Sequence, residues 1–296
     1  RALRVADVVD LGIMGDPPLL SGYLIISRGS AALVDAGPAS LATEYLSRAR
    51  RNSRGARIDY VLITHVHLDH AGGTKRVLEA EPGARAAVYV RGARHLIDPA
   101  RLLESSRAVL GSLVDVWGGI EAVDPGRLVV LEDGGELLVG DSAVRLIATP
   151  GHAPHSSAWY LVEERVLFPG DSAGMLVVGE GGFAWPVAPP PFRMDMFLES
   201  LSKLESLNPR TICLPHYGCT RRAREHLEGV RKVYVEADRA LARACVERIR
   251  SDSELLDIVL EHLGLKDVQG AGRLSDQLVR NLKGLPGYSR CLQDRS

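Results

Sequence analysis

The sequence predicts an α/β protein in which two packed sheets carry helices on their outer faces and a helical extension follows. Three observations predict it. The first third of the chain alternates strand and helix signals, and from Leu128 strands follow one another closely with only Gly, Asp and Glu turns between them. Beyond Gly218, apolar residues recur at helical spacing. At 296 residues, 46% of them hydrophobic, the chain can bury enough for one large domain or for a domain with a smaller appendage.

Ser21 to Ser27 (SGYLIIS) and Ala31 to Asp35 (AALVD) read as two strands of a hairpin with Gly29 in its turn. Ala39 to Arg51 reads as a helix, and the apolar run Tyr60 to Ile63 as a buried strand. A short helix over Thr74 to Ala80 is stopped by Pro82-Gly83, and Ala84 to Val90 is the next strand. Arg91 to Gly118 is an amphipathic helical insert with a basic edge, read as a solvated face. The segments LVVL, ELLVG, AVRLIAT, SAWYLV and RVLFPG are then read as close-spaced strands. A proline-rich stretch, Trp185 to Phe192, leads to a helix over Asp195 to Leu207 and a strand over Thr211 to Leu214.

In the last part, Val230, Val233, Ala237, Leu241 and Cys245 fall on one helix face. Ser251 with Glu254 forms a capping box that opens a second helix, and a third is predicted over Leu274 to Leu282. The boundary falls near residue 220, separating a domain over 1–219 from a helical extension over 220–296.

The 36 basic and 37 acidic residues nearly cancel, so no basic field points to nucleic acid or to an anionic membrane. Cys213, Cys219, Cys245 and Cys291 form no CxxC pair, and a chain this large needs no disulfide staples, so reduced thiols are expected. There is no basic-then-apolar leader and no apolar stretch near the ~20 residues that span a bilayer. The expectation is a cytoplasmic protein.

The stretch ITHVHLDHAGG, Ile63 to Gly73, carries the chemistry. His65, His67, Asp69 and His70 follow an apolar strand end, where a tight loop lets consecutive side chains converge. Imidazole nitrogen and carboxylate oxygen are ligands for Zn²⁺ and similar ions, and four of them in six residues suit two ions better than one. Three further ligand-type residues sit at later strand ends beside Gly or Pro: His152 in TPGHAPH, Asp171 in LFPGDS and His216 in CLPHYG.

In these motifs the chain resembles the metallo-β-lactamase fold hydrolases. Their HxHxDH motif corresponds to His65, His67, Asp69 and His70, and their later His, Asp and His to His152, Asp171 and His216. The resemblance covers about residues 20 to 220 and implies a four-layered αββα sandwich with a dinuclear site at one edge. It puts one ion on His65, His67 and His152 and a second on Asp69, His70 and His216, with Asp171 bridging. Two divalent ions are implied, zinc first, with iron or manganese as alternatives. Such ions bring the pKa of a bound water towards ~7 and polarise a carbonyl or phosphoryl oxygen, so hydrolysis is expected, with Asp69 also passing a proton to the leaving group.

His70 with Asp171 resembles the glyoxalase II, lactonase and ribonuclease Z branches rather than the β-lactamases, where cysteine often replaces Asp171. No nuclease arm or inserted domain lies between Gly73 and His216. The helical extension resembles that of glyoxalase II in position, but His155 lies three residues after His152 where that family repeats a histidine at four, which counts against a glutathione thioester. The expected substrate is a small ester, thioester or lactone. The alternatives are a mono-iron persulfide-dioxygenase-like enzyme and, behind it, a phosphodiesterase or nuclease of the same fold. Expected partners are a small-molecule substrate, no membrane and no nucleic acid, with a homo-oligomer left open.

Tyr217 and Tyr23 are the candidates for orienting a substrate carbonyl, and Trp185 in the proline-rich loop for an apolar rim over the substrate. His155 reads either as a residue that orients His152 through a hydrogen bond or as an ordinary turn residue. His95, His226 and His262 are read as non-ligands, and Cys219 as a bystander thiol.

Overall fold

The structure, a computed structural model, describes residues 6–14, 20–177, 183–216, 218–246, 251–265 and 279–288. Two six-stranded sheets face each other. The first runs in the order β1 (Asp7–Met14), β2 (Leu20–Ser27), β3 (Ser30–Val34), β4 (Arg57–Leu62), β5 (Arg85–Tyr89) and β6 (Leu128–Leu131). The second contains β7 (Glu136–Val139), β8 (Ser142–Ala148), β9 (Ser157–Leu161) and β10 (Val166–Phe168). A separate hairpin, β11 (Met175–Val177) with β12 (Phe183–Trp185), precedes its last two strands, β13 (Thr211–Leu214) and β14 (Gly218–Thr220).

Strand alternation builds the layers. Tyr23, Ile25 and Leu62 of the first sheet meet Trp159, Leu161 and Phe168 of the second in a core between the sheets. Their neighbours Leu24 and Val61 point outward, into a core covered by α1 (Ala42–Asn52), α2 (Leu68–Ala71), α3 (Thr74–Ala80), α4 (Val90–Ile97), α5 (Ala100–Leu110) and α6 (Leu113–Trp117). On the second sheet, Ala158, Tyr160 and Leu167 point outward towards α7 (Met194–Ser206), α8 (Ala223–Val246) and α9 (Asp252–His262). The result is the αββα order, with the C-terminal helices sharing the core of the second sheet's outer face.

The predicted strands and helices of the first third and the five close-spaced strands are present within a few residues. LVVL, however, belongs to the first sheet: β6 pairs parallel to β5, with the helical insert α4 to α6 as the crossover a parallel pair requires. Several short or irregular elements, β11 among them, carried too little pattern to be read. β1 has a register shift between Asp10 and Ile13 that breaks its alternation, and β12 and β14 are three residues long. The Ser251 and Glu254 capping box is present at the start of α9. The helix expected over Leu274 to Leu282 falls largely outside the described residues. Arg222 and Arg224, at the start of α8, pair with Glu225 and Glu228.

The reduced-thiol expectation is corrected for one pair. β13 and β14 form an antiparallel hairpin in which Cys213 is directly opposite Cys219, and the two are joined in a disulfide. The six-residue spacing hides a hairpin whose register brings the sulfurs together. Among the described residues, no helix is long and apolar enough to cross a membrane.

Candidate metal centre

All seven predicted ligand residues converge at one edge of the sandwich. His65, His67, Asp69 and His70 follow β4, where the loop after Leu62 enters the short helix α2. His152 follows β8, Asp171 follows β10 and His216 follows β13. Two groupings of donor atoms arise, His65, His67, His152 and Asp171 in one and Asp69, His70 and His216 in the other, each with its atoms within 4.8 Å of one another.

Asp171 stands between them. Its Oδ2 lies 3.7 Å from His65 Nε2 and 3.4 Å from His152 Nε2, whereas its Oδ1 lies 3.4 Å from His70 Nε2 and 3.5 Å from His216 Nε2. His67 Nδ1 and His152 Nε2 approach to 2.9 Å, so two ring nitrogens aim at one point. Asp69 Oδ2 lies 3.6 Å from His70 Nε2.

Hydrogen bonds on the far side of three of the rings fix which nitrogen faces inward. His152 Nδ1 is 2.8 Å from the carbonyl of Val187, which can only accept, so Nδ1 carries the proton and Nε2 presents its lone pair. His70 Nδ1 donates in the same way to Asp35 Oδ2 at 2.9 Å. Thr64 Oγ1 donates to Asp35 Oδ2 at 2.8 Å and is thereby left to accept from His65 Nδ1 at 3.1 Å.

Sequence reading missed this supporting set. Asp35 directly follows β3 with a left-handed φ of 58°, which Asp tolerates, and its Oδ1 also accepts from the Thr64 amide at 2.7 Å. The signal was an acid closing a buried strand just before Ala36-Gly37. Val187 is held in turn by Tyr234 of α8, whose hydroxyl accepts from the Val187 amide at 2.7 Å.

Glycine makes the approach to two ligands. Gly151, with φ 140°, precedes His152, and a Cβ there would lie 2.5 Å from the backbone of Phe197. Gly170 precedes Asp171 with φ 52°, and its Cβ would lie 2.7 Å from Thr64 Oγ1.

His65, His70, His152, Asp171 and His216 are buried, whereas His67 and Asp69 are half-buried and mark the open side. Burial, reinforced by neighbouring imidazoles, pushes His65 and His67 well below the usual histidine range, and burial lowers His152 too. His70 behaves oppositely: burial alone would lower it, but the charges of Asp171 and Asp69 carry it well above. His216 is likewise raised, with Asp171 outweighing its burial. Burial would raise Asp171, yet His70 and His152 hold it well below the carboxylate range.

The donor set therefore combines ring nitrogens that burial keeps neutral, those of His65, His67 and His152, with an ionised carboxylate whose field draws positive charge towards His70 and His216. His65 Nε2, His70 Nε2 and Asp171 Oδ1 are buried without a hydrogen-bond partner among the described residues. Buried polar atoms are rarely left so unless something else satisfies them. Five imidazoles and two carboxylates fit divalent ions of the zinc type.

The other predicted residues sit elsewhere. Trp185 is fully buried in the core beneath α8, and the loop beyond it, with Val187, Ala188 and Phe192 buried, is core rather than a rim over substrate. Tyr23 is 2% exposed, and its hydroxyl donates to the Leu214 carbonyl at 2.6 Å. It anchors the strand that leads to His216, a task that leaves no face for substrate. Tyr217 lies outside the described residues. His155 does not bond to His152; its Nδ1 lies 3.5 Å from the Val66 amide, and its ring sits against His65 and His67. His95, His226 and His262 belong to neither grouping. Cys219 is no free thiol, and with Cys213 it ties the two ends of the turn that bears His216.

Comparison with known proteins agrees with this geometry. A family profile described as the metallo-beta-lactamase superfamily matches residues 20–216. The chain is 31% identical over 208 residues to the metallo-beta-lactamase fold-containing protein ST1585 of Sulfurisphaera tokodaii, covering 68% of this chain and 74% of that protein. It is 32% identical over 200 residues to a hydroxyacylglutathione hydrolase of Acidiphilium cryptum, covering 67% of this chain and 65% of that one. Among solved structures, the archaeal metallo-beta-lactamase superfamily protein ST1585 from Sulfolobus tokodaii matches with a TM-score of 0.68 at 26% identity, over 96% of this chain and 98% of that chain.

Proposed function

The chain belongs to the metallo-beta-lactamase superfamily, and from that premise we propose that it is a metal-dependent hydrolase with a two-ion centre that cleaves a small ester, thioester or lactone. The observation that carries the reading is Asp171, whose two oxygens each face a different pair of histidines. One ion would rest on His65, His67 and His152 and the other on Asp69, His70 and His216, with Asp171 shared, and zinc is the ion we assign. Bound there, divalent ions acidify a water and polarise a carbonyl oxygen.

The chain's own residues set up the rest. Substrate enters on the side of His67 and Asp69, the two ligands that are only half-buried. Asp69 turns Oδ2 towards His70, leaving Oδ1 to carry a proton to the departing alcohol or thiol. Asp35, Thr64 and Val187 hold the rings of His70, His65 and His152 so that no reorganisation is needed during the reaction. On this reading residues 1–219 carry the catalysis, and 220–296 buttress it through Tyr234. The 32% identity to a hydroxyacylglutathione hydrolase supports a thioester among the candidates.

The test is a panel of esters, thioesters and lactones assayed with metal-loaded protein of measured metal content. Two ions per chain, with hydrolysis lost in His67→Ala and Asp171→Ala, is the expected result. Undiminished hydrolysis in either variant sinks the proposal, and one iron per chain with oxygen uptake on a persulfide would replace it.

A further inference from the structure

Beside the ligand cluster, a pocket of about 400 Å³ is lined by Val90, Arg91, Arg94, His95, Pro154 and His155. His155 of the pocket packs against the cluster: its ring centre lies 5.4 Å from that of His67 and 5.6 Å from that of His95. Through His155 the pocket adjoins His67, one of the two half-buried residues on the open side of the centre. Helix α4, which supplies most of its lining, is drawn in at Gly92, where a Cβ would meet Val88 Cγ2 at 2.9 Å and Val66 Cγ1 at 3.2 Å.

Its charge is one-sided. Arg91 and Arg94 are exposed, and among the described residues neither faces a carboxylate; Arg94 Nε instead donates to His95 Nε2 at 3.2 Å. Arg91 stands in the first turn of α4, which has no acidic residue there, although a cation at a helix N-terminus opposes the helix dipole. Elsewhere on this protein exposed arginines commonly have acidic partners, as Arg107 has in Asp115 and Arg145 in Glu136. Two guanidinium groups without a carboxylate partner among the described residues, beside two imidazole rings and the apolar surfaces of Val90 and Pro154, match a short carbon chain ending in an anion.

We propose that this pocket is the subsite for an anionic group, a carboxylate or a phosphate, carried by the substrate at the end remote from the bond that is cleaved. The inference rests on the hydrolase reading of the neighbouring centre and narrows its substrate class to anionic esters and thioesters. Arg91 and Arg94 set specificity through the anion, and His95 and His155 supply neutral donors.

The test compares three acetyl thioesters that differ in the thiol: ethanethiol, which is neutral, 3-mercaptopropionate, which carries a carboxylate, and 4′-phosphopantetheine, which carries a phosphate. In metal-loaded protein, an Arg91→Gln/Arg94→Gln double variant is expected to lower the ratio of kcat/KM for an anionic thioester to that for the neutral one by roughly tenfold to a hundredfold, the range of a charge-assisted hydrogen bond. The arm that falls further identifies carboxylate or phosphate. Arg221→Gln, at an exposed arginine outside the pocket, is expected to leave the ratio at its wild-type value. A ratio that stays put in the double variant, or falls as far in Arg221→Gln, overturns the subsite. If wild-type protein cleaves none of the three, it is the thioester part of the hydrolase reading that fails, and calorimetric titration of propionate and of inorganic phosphate reads the subsite alone. Weaker binding by the double variant then upholds it, and equal binding overturns it.

Discussion

Tyr234 and His152 are joined through a single residue: the Val187 amide donates to the tyrosine hydroxyl at 2.7 Å, and the Val187 carbonyl accepts from the histidine at 2.8 Å. A helix of the C-terminal extension thus helps to set the orientation of a candidate ligand that follows a strand of the second sheet. Tyr234→Phe keeps the ring, which stacks on Phe197 at 4.2 Å, and removes only the acceptor. The buried Val187 amide is then unpaired, at a cost of about 1–3 kcal/mol. Urea unfolding should register that loss, and competitive chelator titration should show weaker binding of one ion per chain. Unchanged stability would mean that the helix does not hold the loop.

Asp35 is the corresponding anchor of His70. In Asp35→Asn an oxygen can still accept from the Thr64 amide, but the amide NH₂ then confronts His70 Nδ1–H, donor against donor. Loss of such an outer partner costs metal affinity about 10- to 100-fold. The expected result is a chain that folds and retains one ion while releasing the other at lower chelator concentration, measured by metal analysis after dialysis against graded chelator.

Gly151→Ala addresses backbone geometry alone. At φ 140° and with Phe197 backbone 2.5 Å from the added Cβ, either the turn before His152 or the start of α7 must shift. Backbone strain and overpacking together predict a loss of about 2–4 kcal/mol. Thermal unfolding measures it, and Gly229→Ala, where an added Cβ meets nothing within 4 Å, is the matched control.

His226 gives a pH dependence separate from the ligands. It is buried, its Nε2 donates to the Ala173 carbonyl at 3.0 Å, and burial lowers its pKa. In the unfolded chain the ring takes up a proton as pH falls through about 6.5, whereas in the folded protein burial defers that uptake to lower pH. The unfolded state therefore binds more protons below that pH, and stability falls as pH falls, while above it this group contributes no slope. With metal saturating in both proteins, His226→Gln should lose less stability than wild type between pH 7.5 and pH 5.5, by up to about 1 kcal/mol. Parallel stability curves would remove His226 from the account.

The clustering of the seven candidate ligands was legible in the sequence because they follow strand ends beside turn-forming residues, and the short motif from His65 to His70 concentrates four of them. The layered fold was legible for the same reason that strands with two buried faces read as apolar runs. What escaped reading depends on register and distance. Asp35 is 35 residues from the ring it holds, and Tyr234 acts on His152 through a third residue. The pairing of Cys213 with Cys219 needs the β13 and β14 register, which no spacing rule announces. Trp185 and Tyr23 were misplaced because an aromatic near a site in sequence is as readily core, and here both pack into it.

The way the ligands are shared between the sheets has a mechanical side. His65, His67, Asp69 and His70 leave the first sheet, and His152, Asp171 and His216 leave the second, so each ion would take donors from both. Each would act as a rivet through the seam of the sandwich, binding the folded chain and not the unfolded one. Free metal at a hundred times its dissociation constant adds about 2.7 kcal/mol to such a structure. A chelator would then do more than stop turnover: it would loosen the grip of one sheet on the other at the edge where substrate enters.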